Sequence, residues 1–106
     1  MEPCMVAFED LEWQPGLPGA RSKSVRVGAR QVRWLEFTRE FVEPEWCRRG
    51  HLGVVLSGEL EVDFSGRRVR YPEGSAVLIS AGTAHKARAV TPVARMFLVE
   101  DAPEGG

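Results

Sequence analysis

The stretch EWCRRGHLGVVLSGE, residues 45–59, sets a carboxylate, a thiol and an imidazole at the entrance to an apolar run: Glu45, Cys47 and His51. Side chains two apart share a face of an extended chain, so Glu45 and Cys47 can point together. His51 joins them if the chain stays extended, or if it folds back through Arg48-Arg49-Gly50 onto a paired strand. Thiolate and imidazole are the usual sulfur and nitrogen ligands of zinc, and they also suit copper, nickel or iron. A carboxylate would serve as a harder fourth ligand. Two other readings use the same residues. Cys47 can pack as a small apolar side chain beneath a surface carboxylate. It can also be a nucleophile with His51 or His85 as its base, although no helix is evident to supply an oxyanion hole.

His85 is the other histidine of the chain. In HKARA, Lys86 and Arg88 fall on one face of a strand, and His85, Ala87 and Ala89 on the other. Charged side chains do not face a core cheaply, so the imidazole is expected to point inward among small neighbours. By itself an inward histidine is more often a hydrogen-bonded core residue than a ligand.

The elements that must carry these groups read as strands. QVRWLEFTREFV (31–42) mixes β-branched, aromatic and charged residues and ends at a Glu43-Pro44 turn. HLGVVLS suits a strand covered on both faces. In ELEVDF, Leu60, Val62 and Phe64 alternate with Glu59, Glu61 and Asp63, which predicts a core face and a solvated acidic face. Ser65-Gly66 turns the chain into RRVRY, whose Arg67, Arg68 and Arg70 are the expected cross-strand complement of that acidic row. Further turns at Pro72-Glu73-Gly74, Ala81-Gly82-Thr83 and Thr91-Pro92 separate SAVLIS, HKARAV and ARMFLVE. Residues 13–30 read as loop and edge strand, and Trp34, Phe37, Phe41 and Trp46 as core or subunit interface. Short strands at regular intervals with Gly and Pro between them indicate an all-β sandwich or barrel.

Composition narrows the class. A chain of 106 residues fits one domain and one core. Its net charge of -1 offers no basic field for nucleic acid. The acidic start MEPCMVAFEDLEW is neither a signal peptide nor a membrane span, so a cytoplasmic location and no membrane partner are expected. Two cysteines, Cys4 and Cys47, do not make a disulfide framework in a reducing compartment, and Cys4 reads as incidental.

GSAVLISAGTAH, residues 74–85, resembles the second conserved motif of the cupins, G-x5-P-x-G-x2-H-x3-N, with Gly74, Gly82 and His85 in register. Ser80 stands where proline is usual, and Ala89 where asparagine is usual. Upstream, HLGVVLSGELEV resembles the end of the first motif, G-x5-H-x-H-x3,4-E-x6-G, with Gly58 as its closing glycine. The resemblance covers residues 32–100, with an N-terminal arm and edge strand over 1–31 and a frayed tail over 101–106. It implies a double-sheet jelly-roll barrel with inward metal ligands. Carried over position by position, the first histidine becomes Glu45, the second Cys47, the glutamate His51, and the second-motif histidine remains His85. The resemblance therefore implies a divalent transition-metal site on Glu45, Cys47, His51 and His85. Zinc comes first for a thiolate with two imidazoles, with nickel, copper or iron as alternatives. Four protein ligands would make a closed site, structural or sensory, whereas three leave a position for a substrate. A metal-dependent enzyme on a small organic molecule and a non-catalytic metal or redox sensor, or a small-ligand carrier, both remain open. A homodimer is what small cupins imply.

Overall fold

The computed structural model describes residues 4–102. A single 3-10 turn, Phe8–Asp10, precedes nine strands: β1 (Gln14–Pro15), β2 (Ala20–Val27), β3 (Arg30–Thr38), β4 (His51–Ser57), β5 (Leu60–Asp63), β6 (Arg68–Tyr71), β7 (Ala76–Ile79), β8 (Lys86–Ala89) and β9 (Val93–Asp101). Two antiparallel sheets result, one of six strands in the order β1-β2-β3-β9-β4-β7 and one of three in the order β6-β5-β8. This is the cupin-type jelly-roll arrangement expected, built as two sheets rather than as one continuous cylinder. Among the described residues no helix is long and apolar enough to cross a membrane. Of the tail expected over 101–106, Asp101 ends β9, and residues 103–106 lie outside the described residues.

Alternation decides what each strand contributes. On β9, Ala94, Met96 and Leu98 are buried, and Glu100 follows on the same face. On β3 the inward row includes Arg33, Leu35 and Phe37, and on β7 it is Val77 and Ile79. Leu60 and Val62 of β5 meet these from the smaller sheet. Leu60, Leu98 and Val55 are the largest fully buried side chains, each stabilising the fold by about 1.5–3 kcal/mol relative to exposure.

The strand expected over 31–42 is shorter than the pattern suggested. It stops at Thr38, whose carbonyl accepts the Phe41 N–H at 3.1 Å and turns the chain. That turn stacks Phe41 on Phe37, ring centroids 4.2 Å apart. The edge strand expected before residue 31 is a full partner: β2 runs antiparallel to β3 along its whole length. The acidic row of β5 is not uniformly solvated either. Glu61 is buried beneath arginines, with Arg88 Nη2 at 2.9 Å and Arg70 Nε at 3.5 Å. Long guanidinium side chains lie over the sheet and cover a carboxylate that they neutralise. On the outer face of the large sheet Phe8 packs on Trp34 and Phe97. Leu52 and Leu78, paired across β4 and β7, stay exposed.

Gly53 lets β4 lie close to β9. A Cβ there would collide with the Phe97 carbonyl oxygen, which belongs to backbone and cannot swing aside. Gly53→Ala is therefore expected to destabilise the protein by about 1–3 kcal/mol, as overpacking does. The shift in the urea midpoint measures it; a midpoint equal to that of the parent would contradict the close approach.

Candidate metal centre

Cys47 and His85 exchange two backbone hydrogen bonds, each 2.9 Å long, as an isolated antiparallel bridge. Residues paired in this way present their side chains on the same face. The bridge therefore sets the thiol beside the imidazole, at the point where β8 begins. The chain then crosses to the large sheet, held by Gly82 N–H donating to the Arg48 carbonyl at 2.8 Å, and β4 starts at His51. His51 shares the inward face of β4 with Gly53 and Val55.

The outcome is a three-residue cluster. The candidate ligand atoms of Cys47, His51 and His85 all lie within 4.8 Å of one another. Cys47 Sγ is 3.8 Å from His51 Nε2, and the imidazole centroids are 5.0 Å apart at 81°. Ligands around a tetrahedral zinc at ordinary bond lengths sit roughly 3.3–3.7 Å from each other. The cluster is close to that spacing.

Each imidazole is also held in the orientation a ligand needs. His85 Nδ1 lies 2.8 Å from the Thr83 carbonyl oxygen, which can only accept. His51 Nδ1 lies 2.6 Å from Glu100 Oε2. Both partners only accept, which assigns the proton to Nδ1 and leaves Nε2 as an acceptor, in His51 facing the Cys47 thiol. A ligating histidine is typically steadied by just this kind of contact behind it.

Glu100 was not singled out from the sequence. Its Oε1 accepts Gln31 Nε2 at 2.8 Å, its Oε2 accepts Arg33 Nη2 at 3.1 Å, and Arg49 approaches Oε1 to 3.7 Å. Burial pushes its carboxyl up, but the His51 hydrogen bond, Arg33 and Gln31 outweigh burial and hold it at about 2. A signal was present: Ala94, Met96, Leu98 and Glu100 form one alternating row, so a carboxylate at its end had to face inward.

Glu45 does not join the cluster. It is exposed, because the chain bends at Pro44 and Glu45 and so breaks the alternation that would put it on the face of Cys47. Two residues earlier, Glu43 is half-buried instead, and its Oε1 accepts the Ala87 N–H at 2.9 Å. Cys47, His51, His85 and Glu43 line a cavity of about 250 Å3 between the sheets. The rest of its wall is largely apolar, with Leu35, Phe37, Val62, Ile79, Met96 and Leu98 prominent.

A cupin-domain family model matches residues 42–99. No curated protein matches the chain. The fold is similar to that of KdgF from Halomonas sp., at 23% identity and TM-score 0.75, covering 91% of this chain and 92% of that one. It is also similar to a cupin-superfamily sugar phosphate isomerase from Silicibacter pomeroyi, at 13% identity and TM-score 0.75, covering 94% and 76% of the two chains. The FeII form of HppE matches at 12% identity and TM-score 0.75, covering 92% of this chain and 60% of that one. At these identities the likeness is one of fold.

Proposed function

The chain belongs to the cupin family, and from that premise we propose that Cys47, His51 and His85 hold one divalent transition metal beside a cavity that admits a small organic molecule. The observation that carries the proposal is the cluster of a thiol and two imidazoles within 4.8 Å, each imidazole with Nδ1 engaged and Nε2 left as the acceptor. One thiolate with two neutral imidazoles suits zinc first, then nickel, copper or iron.

Three protein ligands with Glu45 outside favour an open centre over a closed, purely sensory one. When bound, such an ion supplies Lewis-acid polarisation of an oxygen on the occupant. The chain supplies the rest. Leu35, Ile79 and Leu98 give the cavity apolar walls, and Glu100 holds the proton of His51 on Nδ1. The reading is thus a metal-dependent enzyme acting on a small molecule. Two structural neighbours, an isomerase and an FeII protein, accord with it by fold analogy alone.

Cobalt loading tests the site. Cobalt-substituted protein is expected to show intense near-ultraviolet thiolate-to-metal absorption that disappears in Cys47→Ser. A protein that takes up none of cobalt, zinc, nickel, copper or iron, or spectra indifferent to Cys47→Ser, would refute it.

A further inference from the structure

The outer face of the six-stranded sheet carries a second recess of about 640 Å3, within the roughly 300–1,000 Å3 of small-molecule sites. Alternation along β3 separates it from the metal cavity: Arg33, Leu35 and Phe37 point inward, Trp34 and Glu36 outward. The N-terminal segment walls the recess with Phe8 and Trp13. Arg21, Glu36 and Arg95 stand in cross-strand register on β2, β3 and β9. Glu36 is buried, and its oxygens accept Arg21 Nε at 2.7 Å, Arg21 Nη2 at 3.2 Å and Arg95 Nε at 2.8 Å. One carboxylate thus fixes two guanidiniums and neutralises only one of them.

Among the described residues nothing else accepts a hydrogen bond from either arginine, so Arg21 Nη1 and both terminal nitrogens of Arg95 keep N–H groups for another acceptor. Lys23 has no carboxylate partner among these residues either. Its ammonium donates to the Phe8 carbonyl at 2.9 Å and lies 4.8 Å from the Trp13 ring centroid, with the Arg21 guanidinium 4.1 Å from the same centroid. A ring and a carbonyl anchor these cations without cancelling their charge. The other acid of the wall, Glu9, is exposed. Three cations against two carboxylates leave an excess of one positive charge.

We infer that this recess binds a small aromatic monocarboxylate, its carboxylate bridging Arg21 and Arg95 and its ring lying against Trp13, Trp34 and Phe8. The planar guanidinium fork matches a carboxylate, and the arginine side chains, 45% and 43% exposed, are reachable from solvent. Ring walls favour a flat ring, and a single excess charge suits a monoanion rather than a polyphosphate. The inference goes beyond the metal centre and does not need it, because none of Cys47, His51 and His85 lines this recess.

Calorimetry with naphthoate, and with naphthylmethanol as its uncharged analogue, reads the charge requirement. The parent is expected to bind naphthoate at least about tenfold more tightly than the alcohol, the worth of a hydrogen bond to a charged group. Arg95→Gln should lose most of that preference and bind the alcohol as the parent does. It leaves Glu36 both bonds from Arg21, so the fold is retained. Location is read from the indole N–H signals in nitrogen–proton NMR spectra. Those of Trp13 and Trp34 should shift on titration, and that of Trp46, outside this recess, should stay in place. Affinity should be the same in zinc-loaded and chelator-treated protein. Equal affinity for acid and alcohol, naphthoate binding indifferent to Arg95→Gln, a shift confined to Trp46, or affinity that vanishes with the metal would each overturn the inference. So would the lack of saturable binding up to about 1 mM, the outcome if a second copy of the chain covers this face. A chain that takes no zinc refutes the metal centre and leaves this test intact. Should Arg95→Gln fail to fold, the preference of the parent and its indole signals still decide.

Discussion

His85→Ala is expected to strip the protein of its metal, with zinc affinity falling roughly a hundred- to thousandfold. Structural zinc sites bind with about 10–16 kcal/mol shared by four ligands, or about 2.5–4 kcal/mol each. The folded chain should survive, because the hydrogen bonds between residues 47 and 85 are made by backbone and do not need the imidazole. Competition with a chromophoric zinc chelator measures the loss, and Glu73→Gln, in an exposed turn, serves as control. If His85→Ala and Glu73→Gln retained zinc equally, His85 would not be a ligand and the centre would have to be abandoned.

Glu100→Ala is expected to act on stability and on metal together. Glu100 is buried with Arg33 beside it and His51 against it, so its removal leaves a partly buried guanidinium without its counter-ion. Breaking such a pair costs about 3–5 kcal/mol. Loss of the group behind a ligating histidine also weakens metal affinity about 10–100-fold. Glu100→Gln keeps the volume and separates the two effects through pH. The carboxyl is held at about 2 in the folded chain, below its ordinary 4.5. A depressed carboxylate stabilises the fold fully above the unfolded value, and that contribution disappears as pH falls from about 4.5 toward 2. Its size is about 3 kcal/mol. Urea unfolding of metal-free parent should therefore weaken over that window more steeply than Glu100→Gln. Glu36, also depressed by its hydrogen bond with Arg21, contributes the same background slope to both proteins. Parallel pH profiles for parent and Glu100→Gln would show that the carboxylate is not tied as described.

Much of the architecture was legible because strand patterning is local. The Ser65-Gly66 turn was readable from its residues, and Ser65 does adopt a positive φ of 63° there, followed by Gly66 at 109°. The inward placement of His85 followed from Lys86 and Arg88 needing water. The readings that failed did so where the chain bent or where side chains from other strands intervened. The chain bends at Pro44 and Glu45, and Glu45 is exposed. Glu61 went under cover because arginines from both neighbouring strands, β6 and β8, reach it.

By itself the sequence determined that this chain forms short strands around one apolar interior, and that Cys47, His51 and His85 stand at positions where the family places ligands. Those conclusions depend on spacing and side-chain chemistry, which are properties of neighbours along the chain. Only the tertiary structure decided which carboxylates lie near the cluster. Glu100 reaches His51 across 49 residues of sequence, and Glu43 reaches Ala87 across 44. Contacts at that separation are set by sheet register and by where a proline bends the chain, and no local pattern encodes them.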